Sequence, residues 1–372
     1  MRGLKNAGRG GISELLGLEH AVAKQPRVNG ARRKAVAIPV LEHALSPADR
    51  NISALAAEPA KWSKGYHAAV APGETAMRRL DYWLYMPAHS RAMKVPLVVM
   101  LHGCEQTAEE FAQGTRMNVL AAEHGFAVLY PQQTPNAHPF RCWHWYDPAI
   151  DKGGGEADWI ASLIERLIAR RSIDRARIYA AGLSAGAAMA AIVALRFPNL
   201  VAAVGVHSGV VVGEARSAIG GAAAMQRGTS EAPASLLSGA VDDLASFPGM
   251  PAILLHGAGD DVVLPVNTDQ LVEQFLRLNG LLTTDGALQT SPERPVMEKV
   301  TQHDVHQQHD YYRDQELKVR VCRIPALRHA WSGGDEALPF NSEDGPDASA
   351  LMWEFFSQHQ RRRPASQPNP TN

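Results

Sequence analysis

The stretch RIYAAGLSAGAAM, residues 177–189, decides the fold of this chain. It begins as a short apolar strand, continues as Gly-x-Ser-x-Gly and ends as an alanine-rich helix. A strand that turns directly into a helix at such a serine is a nucleophile elbow, which lifts Ser184 above the end of a sheet. Gly182 and Gly186 are required because side chains beside so tight a turn would collide. The alternative is a glycine-rich strand–helix turn that merely carries a serine.

Strands and helices alternate on both sides of this stretch. Continuous apolar runs at 96–101, 126–130 and 252–256 are typical of strands buried on both faces of a parallel sheet. Further strands are predicted at 80–86, 201–207 and 317–324, and helices at 107–124, 156–171, 266–278 and 345–359. This alternation predicts an α/β protein with a mostly parallel, doubly wound sheet and helices on both faces.

The two ends of the chain differ from its middle. Residues 1–75 are predicted to be a basic, flexible leader, with nine Lys/Arg against four Asp/Glu through position 50. A surface-binding arm is the alternative to a solvated extension. Regular structure is expected from about Leu80, within a catalytic domain at 76–360, and residues 280–315 are expected to form a polar, turn-rich excursion. The tail 361–372 is predicted to be disordered.

Charge, hydropathy and cysteine content disfavour several classes of function. The 372 residues carry a formal net charge of -1, so no overall field attracts nucleic acid. No apolar run approaches the roughly 20 residues of a membrane span, and no clear signal peptide is present. The sequence therefore does not decide between a cytoplasmic and an exported protein. Three cysteines without Cys-x-x-Cys spacing disfavour a disulfide scaffold and a zinc cluster, and no metal or other cofactor is expected.

An acid and a base follow the serine in the order that such enzymes use. Asp260 and Asp261 come just after the predicted strand at 252–256, and either could orient a histidine. His329 lies in a loop after the strand at 317–324. These residues predict acyl transfer in two steps, in which His329 takes the proton of Ser184 and an aspartate stabilises the imidazolium.

An oxyanion hole needs two N–H donors. One is expected from Ala185, the residue after the serine. The other is expected from the loop His102-Gly103-Cys104-Glu105-Gln106, which follows the strand at 96–101, and we assign it to Cys104.

Several motifs occur together in a recognisable order. They are His102-Gly103-Cys104-Glu105-Gln106, Cys142-Trp143, the serine elbow, Val206-His207-Ser208-Gly209, His256-Gly257-x-x-Asp260 and His329-Ala330-Trp331-Ser332-Gly333-Gly334. Over about residues 78–358 this pattern resembles the poly(3-hydroxybutyrate) depolymerase family of esterases, relatives of feruloyl and acetylxylan esterases. The resemblance implies an α/β-hydrolase fold, hydrolysis of short-chain polyhydroxyalkanoate or similar esters, and an extracellular setting. It also implies that Asp260, rather than Asp261, completes the triad.

The chain departs from that pattern beside the base. Leu327-Arg328 replaces the glycine pair that usually precedes the histidine. Arg328 would lower the pKa of the histidine, bind an acyl carboxylate or, as we favour, point to solvent.

Other features have competing interpretations. Trp143, Trp145 and Trp331 either line a substrate pocket or pack beneath a long loop. Cys142 either pairs with Cys104 or is a buried thiol. His303, His306 and His309 suggest a metal site, although loop packing is the favoured interpretation, and His207 and His256 are expected to be structural.

Three kinds of function compete. A serine esterase of the polyhydroxybutyrate depolymerase type leads, ahead of a feruloyl or acetylxylan esterase and of a serine peptidase. A non-catalytic binding protein on the same fold is disfavoured, because the serine, aspartate and histidine are all present.

Overall fold

The structure is a computed structural model that describes residues 59–70, 77–88, 93–148, 155–241, 243–283, 286–289, 297–302 and 305–361. Most of the predicted leader and nearly all of the predicted tail lie outside these ranges. The strands of the main sheet are β1 Lys61–Val70, β2 Met77–Met86, β3 Val95–Leu101, β4 Ala127–Gln132, β5 Ile173–Leu183, β6 Ala203–His207, β7 Ala252–Gly257, β8 Met297–Gln302, β9 Gln307–Arg313 and β10 Glu316–Ile324.

The helices alternate with these strands. They are α1 Ala108–Thr115, α2 Met117–His124, α3 Glu156–Arg170, α4 Ala185–Arg196, α5 Ala218–Arg227, α6 Leu237–Ala240, α7 Val266–Leu278 and α8 Ala348–Ser357, with a 3₁₀ turn at Pro233–Leu236. None of the described helices is both long and apolar enough to cross a membrane.

Within the described chain the strands form one sheet in the order β1-β2-β4-β3-β5-β6-β7-β10-β9-β8. The six strands from β4 to β10 in this order pair in parallel, whereas β1–β2 and β8–β9 add antiparallel hairpins at the two edges. The prediction of a mostly parallel sheet is confirmed. Because β3, β4, β5, β7 and β10 run the same way, the loops that follow them meet at one edge of the sheet.

Helices cover both faces of the sheet, as expected for a doubly wound fold. Apolar residues of α3, α4 and α7 pack on one face, where Ile160, Met189 and Phe275 are completely buried. Residues of α1, α2 and α8 pack on the other, where Phe111, Met117 and Phe355 are completely buried. Strand β3, the predicted apolar run, is buried along its whole length. This two-sided burial fixes the position of the loops at the carboxyl edge.

Three expectations were wrong. Regular structure is already present before Leu80, because β1 lies within the predicted leader and pairs along its full length with β2. The single helix predicted at 107–124 is broken at Arg116, where φ is 54°. The carbonyl of Thr115 there accepts a hydrogen bond from Ser349 Oγ, and that of Gly114 accepts one from the amide of Asp335, so neither continues the helix.

The third error concerns residues 280–315. This segment contains β8 and β9 rather than loop alone, and β9 pairs with β10 in antiparallel register. Edge strands of this kind are polar on their exposed side, so their residues resemble a loop in the sequence.

Candidate active site

The predicted nucleophile, Ser184, lies at the junction of β5 and α4. Its backbone has φ 57° and ψ -122°, a left-handed conformation that is rare for a residue with a side chain. The conformation is held by its neighbours, since the amide of Ser184 donates to the carbonyl of His207 at 3.0 Å and the carbonyl of Ser184 accepts from Ala188 at 3.0 Å. Strain at one fixed residue is a common property of functional sites.

The two glycines of the elbow are explained by close backbone contact. A Cβ at Gly182 would lie 2.5 Å from the backbone of Gly186 and 2.6 Å from the carbonyl of Leu101. A Cβ at Gly186 would collide with that same carbonyl and lie 2.5 Å from the carbonyl of His102. The end of β3 and the loop after it therefore press directly against the elbow, as the collision expected from the sequence requires.

Asp260 lies in the loop after β7 with both carboxylate oxygens occupied. Its Oδ1 accepts hydrogen bonds from the amides of Val262 and Val263 at 3.0 and 2.9 Å. Its Oδ2 lies 2.8 Å from Nδ1 of His329. Burial alone would raise the pKa of Asp260, but hydrogen bonds from His256 and His329 outweigh it and hold the pKa well below its usual value. Asp260 is therefore a carboxylate that faces an imidazole.

His256 is a second histidine at the same carboxylate. Its Nε2 lies 2.8 Å from the carbonyl of Val263 and 3.4 Å from Oδ2 of Asp260, while Nδ1 is hydrogen-bonded to Oγ1 of Thr268. A carbonyl can only accept, so Nε2 carries the hydrogen. This N–H thus donates to Val263 and also lies close enough to Asp260 to stabilise its negative charge beside His329.

The loop of His329 is joined to the loop of Asp260 through the backbone. The amide of Ala258 donates to the carbonyl of Ile324 at 2.9 Å, and the amide of Gly259 donates to the carbonyl of Leu327 at 3.0 Å. A Cβ at Gly257 would strike the carbonyl of Leu327. Only 8% of the His329 side chain is exposed. The two side chains predicted as acid and base are therefore brought together by rigid, closely packed loops.

The neighbours of these two residues face solvent. Arg328 and Asp261 form an ion pair whose side chains are 70% and 44% exposed. The interpretation that Arg328 points to solvent agrees with this exposure. Asp261 is instead paired with Arg328.

The predicted oxyanion loop, 102–106, packs on the elbow. A Cβ at Gly103 would lie 3.7 Å from Cβ of Ser184. The amide of Gly103 donates to Oε1 of Gln106 at 2.8 Å, and a capping box between Thr107 and Glu110 starts α1 directly after the loop.

Two other amides at this point have no acceptor. Within the described residues, neither the amide of Cys104 nor that of Ala185 donates to another group of the protein. Among the described residues, both amides are therefore available as the two donors that the sequence predicts for an oxyanion hole.

The oxyanion loop is tethered to residues 133–147. Cys104 and Cys142 form a disulfide, which decides between the two interpretations of these thiols, while Cys322 is free and buried. Burial raises the pKa of the Cys322 thiol to about 12, so it is unreactive. The indole of Trp143 donates to the carbonyl of His102 at 3.1 Å.

The three predicted pocket tryptophans have different surroundings. Trp331 is completely buried, with its ring 5.5 Å from that of Phe111 and 5.2 Å from that of His207, so it offers no surface to a substrate and that prediction was wrong. Trp143 is 1% exposed and supports the oxyanion loop. Trp145 is half-buried and lines a surface cleft together with Asp147 and Arg196.

His207 was expected to be structural, and its contacts show how it joins parts of the site. Its carbonyl accepts from Ser184, while Nε2 accepts from the amide of Ser332, three residues after His329, at 3.3 Å. Burial lowers the pKa of His207 to about 3, so the ring is neutral. It links the elbow to the histidine loop without being a nucleophile or a base.

The proposed histidine metal site finds no support in the described chain. No group of three or more His, Cys, Asp or Glu side chains that could hold a metal ion occurs in the described ranges. His303 lies outside those ranges.

Sequence reasoning missed the contacts made by three residues, which are Glu156, Gln106 and His256. Gln106 lies in the His-Gly-Cys-Glu-Gln motif and His256 in His-Gly-x-x-Asp, but neither motif indicates the contact of Gln106 with the Gly103 amide or of His256 with Asp260. Glu156 is the first residue of α3, where an acid is ordinarily explained by the helix dipole.

Comparison with known proteins agrees with this fold and assigns the chain to a family. Residues 80–298, more than half of the chain, match the model of the family described as Esterase PHB depolymerase, and the chain therefore belongs to this family. The chain is 35% identical over 199 residues to poly(3-hydroxyalkanoate) depolymerase C of Paucimonas lemoignei, a match covering 53% of this chain and 47% of that protein. It is 29% identical over 212 residues to feruloyl esterase B of Neurospora crassa, covering 54% and 70%.

The chain thus spans about half the length of the Paucimonas relative. Among solved structures, an acetyl xylan esterase from Aspergillus awamori superposes with a TM-score of 0.59 over 79% of this chain and 99% of that one. Its sequence identity is 19%, so this likeness concerns the fold, which is that of an α/β-hydrolase.

Proposed function

We propose that this protein is a carboxylic ester hydrolase in which Ser184 is the nucleophile, His329 the general base and Asp260 the residue that orients the base. The observation that carries the proposal is the 2.8 Å contact between His329 Nδ1 and Asp260 Oδ2 at the edge of the sheet where the strained Ser184 elbow stands. Membership of an esterase family supports the same reaction.

The reaction follows from the tautomer that Asp260 imposes. A carboxylate accepts the Nδ1–H of His329, which leaves Nε2 unprotonated to take the proton of Ser184 as its Oγ attacks the ester carbonyl. His329 then gives that proton to the departing alcohol, and the acyl group stays on Ser184. Water attacks the acyl-enzyme by the same route and releases the acid. The low pKa of Asp260 keeps the carboxylate charged throughout.

The negative charge of each tetrahedral intermediate needs donors. The free amides of Cys104 and Ala185 supply them in this proposal, with Ala185 at the N-terminus of α4. Neither amide has to leave another partner when charge develops, which is the condition for an effective oxyanion hole.

We further propose that the natural substrate is a short-chain polyhydroxyalkanoate, such as polyhydroxybutyrate or its oligomers. The support is the match to the Paucimonas relative, which is named a poly(3-hydroxyalkanoate) depolymerase. A feruloyl or acetylxylan ester is the second candidate, favoured by relatives of those names and by the 70% coverage of the feruloyl esterase. All three substrates would use one triad, so pocket shape separates them.

Two measurements test the proposal. A fluorophosphonate probe is expected to label the folded protein at Ser184, and the Ser184→Ala variant is expected to stay unlabelled. A panel of polyhydroxybutyrate, its oligomers, methyl ferulate, acetylated xylan and p-nitrophenyl esters ranks the substrates. Folded protein that takes no label would rule out the esterase and leave the non-catalytic binding protein.

A further inference from the structure

Glu156 is a buried carboxylate that accepts hydrogen bonds from one neighbouring segment of the described chain. It is 8% exposed and begins α3. Its oxygens accept from the amide of His144 at 2.7 Å, from Nδ1 of His144 at 2.8 Å and from Nε2 of Gln133. A helix-dipole role alone would leave such an acid at the surface, as with other first-turn acids. The three donors, all within residues 133–144, indicate that the carboxylate holds that segment.

That segment is in turn bound to the oxyanion loop. Four links join them: the disulfide Cys104–Cys142, the indole of Trp143 on the carbonyl of His102 at 3.1 Å, the amide of Gln133 on Nε2 of His102 at 3.1 Å, and the amide of Glu105 on the carbonyl of Phe140 at 2.6 Å. One covalent bond and three hydrogen bonds leave the two segments little freedom to move apart.

The negative charge of Glu156 contributes in addition to its hydrogen bonds. The hydrogen bond and charge of Glu156 raise the pKa of His144 against the effect of burial. His102, at the other end of the network, stays neutral because burial lowers its pKa to about 4. His144 is the histidine that is hydrogen-bonded to Glu156, and an uncharged amide in place of Glu156 would not reproduce this charge-assisted pairing.

We propose that Glu156 is a positioning residue for the oxyanion hole, an inference that rests on the proposed esterase function. By holding residues 133–144, it fixes the Cys104 amide at the distance from Ser184 at which the oxyanion forms. Glu156 touches no reacting atom itself. Its effect is transmitted through the disulfide and the backbone of His102.

The test is the Glu156→Gln variant. All three partners of Glu156 are donors, and glutamine offers only one acceptor oxygen, so its amide nitrogen must face at least one of them. We expect kcat per titrated active site to fall about 10–100-fold, less than the 10²–10³ lost when an oxyanion donor is removed outright. KM for p-nitrophenyl butyrate should change less than threefold.

An oxyanion-specific readout separates positioning from a general loss of folded protein. A trifluoromethyl ketone forms a hemiketal whose oxyanion occupies the hole, so its inhibition constant should rise by the same factor as kcat falls. Glu165→Gln is the matched control, because Glu165 lies on the same helix in an exposed pair with Arg175 at 2.6 Å. It should leave both quantities unchanged.

The outcomes are distinct. If Glu156→Gln has wild-type kcat per titrated site and an unchanged inhibition constant, Glu156 only supports the fold and the inference is wrong. If Glu156→Gln does not fold, His144→Ala removes one of the three bonds and should still weaken the ketone about three- to tenfold; an unchanged constant there also overturns the inference. A wild-type protein that takes no active-site label would instead refute the esterase proposal.

Discussion

Replacing Asp260 by asparagine should disable the enzyme through the tautomer of His329. The side chain has two possible orientations. In one, the amide nitrogen faces the amides of Val262 and Val263, which places a donor against two donors that now sit 3.0 and 2.9 Å from Oδ1. In the other, the oxygen keeps those two bonds and the nitrogen takes the place of Oδ2. The second orientation is favoured because it leaves no pair of buried amide donors unsatisfied.

The favoured orientation of the asparagine imposes the wrong tautomer on His329. The asparagine nitrogen then donates to Nδ1 of His329, so the ring hydrogen moves to Nε2 and the base can no longer accept the proton of Ser184. Loss of the charge also removes the stabilisation of the imidazolium. The same substitution in a serine protease lowers kcat by about 10⁴, equivalent to about 5 kcal/mol of transition-state stabilisation, and we expect a loss of that order here.

Asp261→Asn is the matched control. Asp261 is exposed and paired with Arg328, and exposed ion pairs contribute about 0–1 kcal/mol. The assay is hydrolysis of p-nitrophenyl butyrate by each variant, with melting temperature as the check on folding. We expect Asp261→Asn to keep activity within about threefold of wild type. A folded Asp260→Asn variant within tenfold of wild type, or a greater loss at Asp261, would refute this account of the site.

Three further predictions concern stability and chemistry. Burial lowers the pKa of His102 to about 4 and of His207 to about 3, below the unfolded value near 6.5, so the unfolded state binds more protons and stability should fall with pH below about 6.5. Each histidine should cost about 2 kcal/mol at pH 5, which urea unfolding at pH 5 and 7.5 would measure; equal stabilities would contradict it. Replacing Cys104 and Cys142 by serine opens a link across 38 residues and should lower the unfolding free energy by about 4 kcal/mol on the chain-entropy estimate, and a change under 1 kcal/mol would argue against it. Activity should survive EDTA, since the proposed mechanism uses no metal; loss with recovery on adding zinc would require a different mechanism.

Local patterns in the sequence were sufficient for the central fold. The apolar runs that form β3, β4 and β7 can be recognised in the sequence, because strands buried on both faces lack alternating polar residues. The elbow is also local, since strand, glycines, serine and helix are contiguous. Edge strands β1, β8 and β9 were missed, because they are polar on one side and are stabilised by partners distant in sequence.

The candidate site, like the fold, was predictable from the sequence only in part. The serine, the histidine and the oxyanion loop follow from motifs, but the residues alone left Asp260 and Asp261 open. The structure distinguishes them by burial: Asp260 is directed at His329, whereas Asp261 faces solvent with Arg328. That difference depends on how the loops after β7 and β10 pack together, which no short pattern encodes.

By itself the sequence determined the order of the central parallel strands, the elbow at Ser184 and the kind of chemistry expected there. Only the tertiary structure decided that Cys104 pairs with Cys142, that Trp331 is buried, and that Glu156 holds the segment behind the oxyanion loop. The physical reason is the range of the interactions. Helix and strand periodicity and tight turns act between near neighbours, whereas burial and hydrogen-bond partners are set by residues that meet only after the sheet has formed.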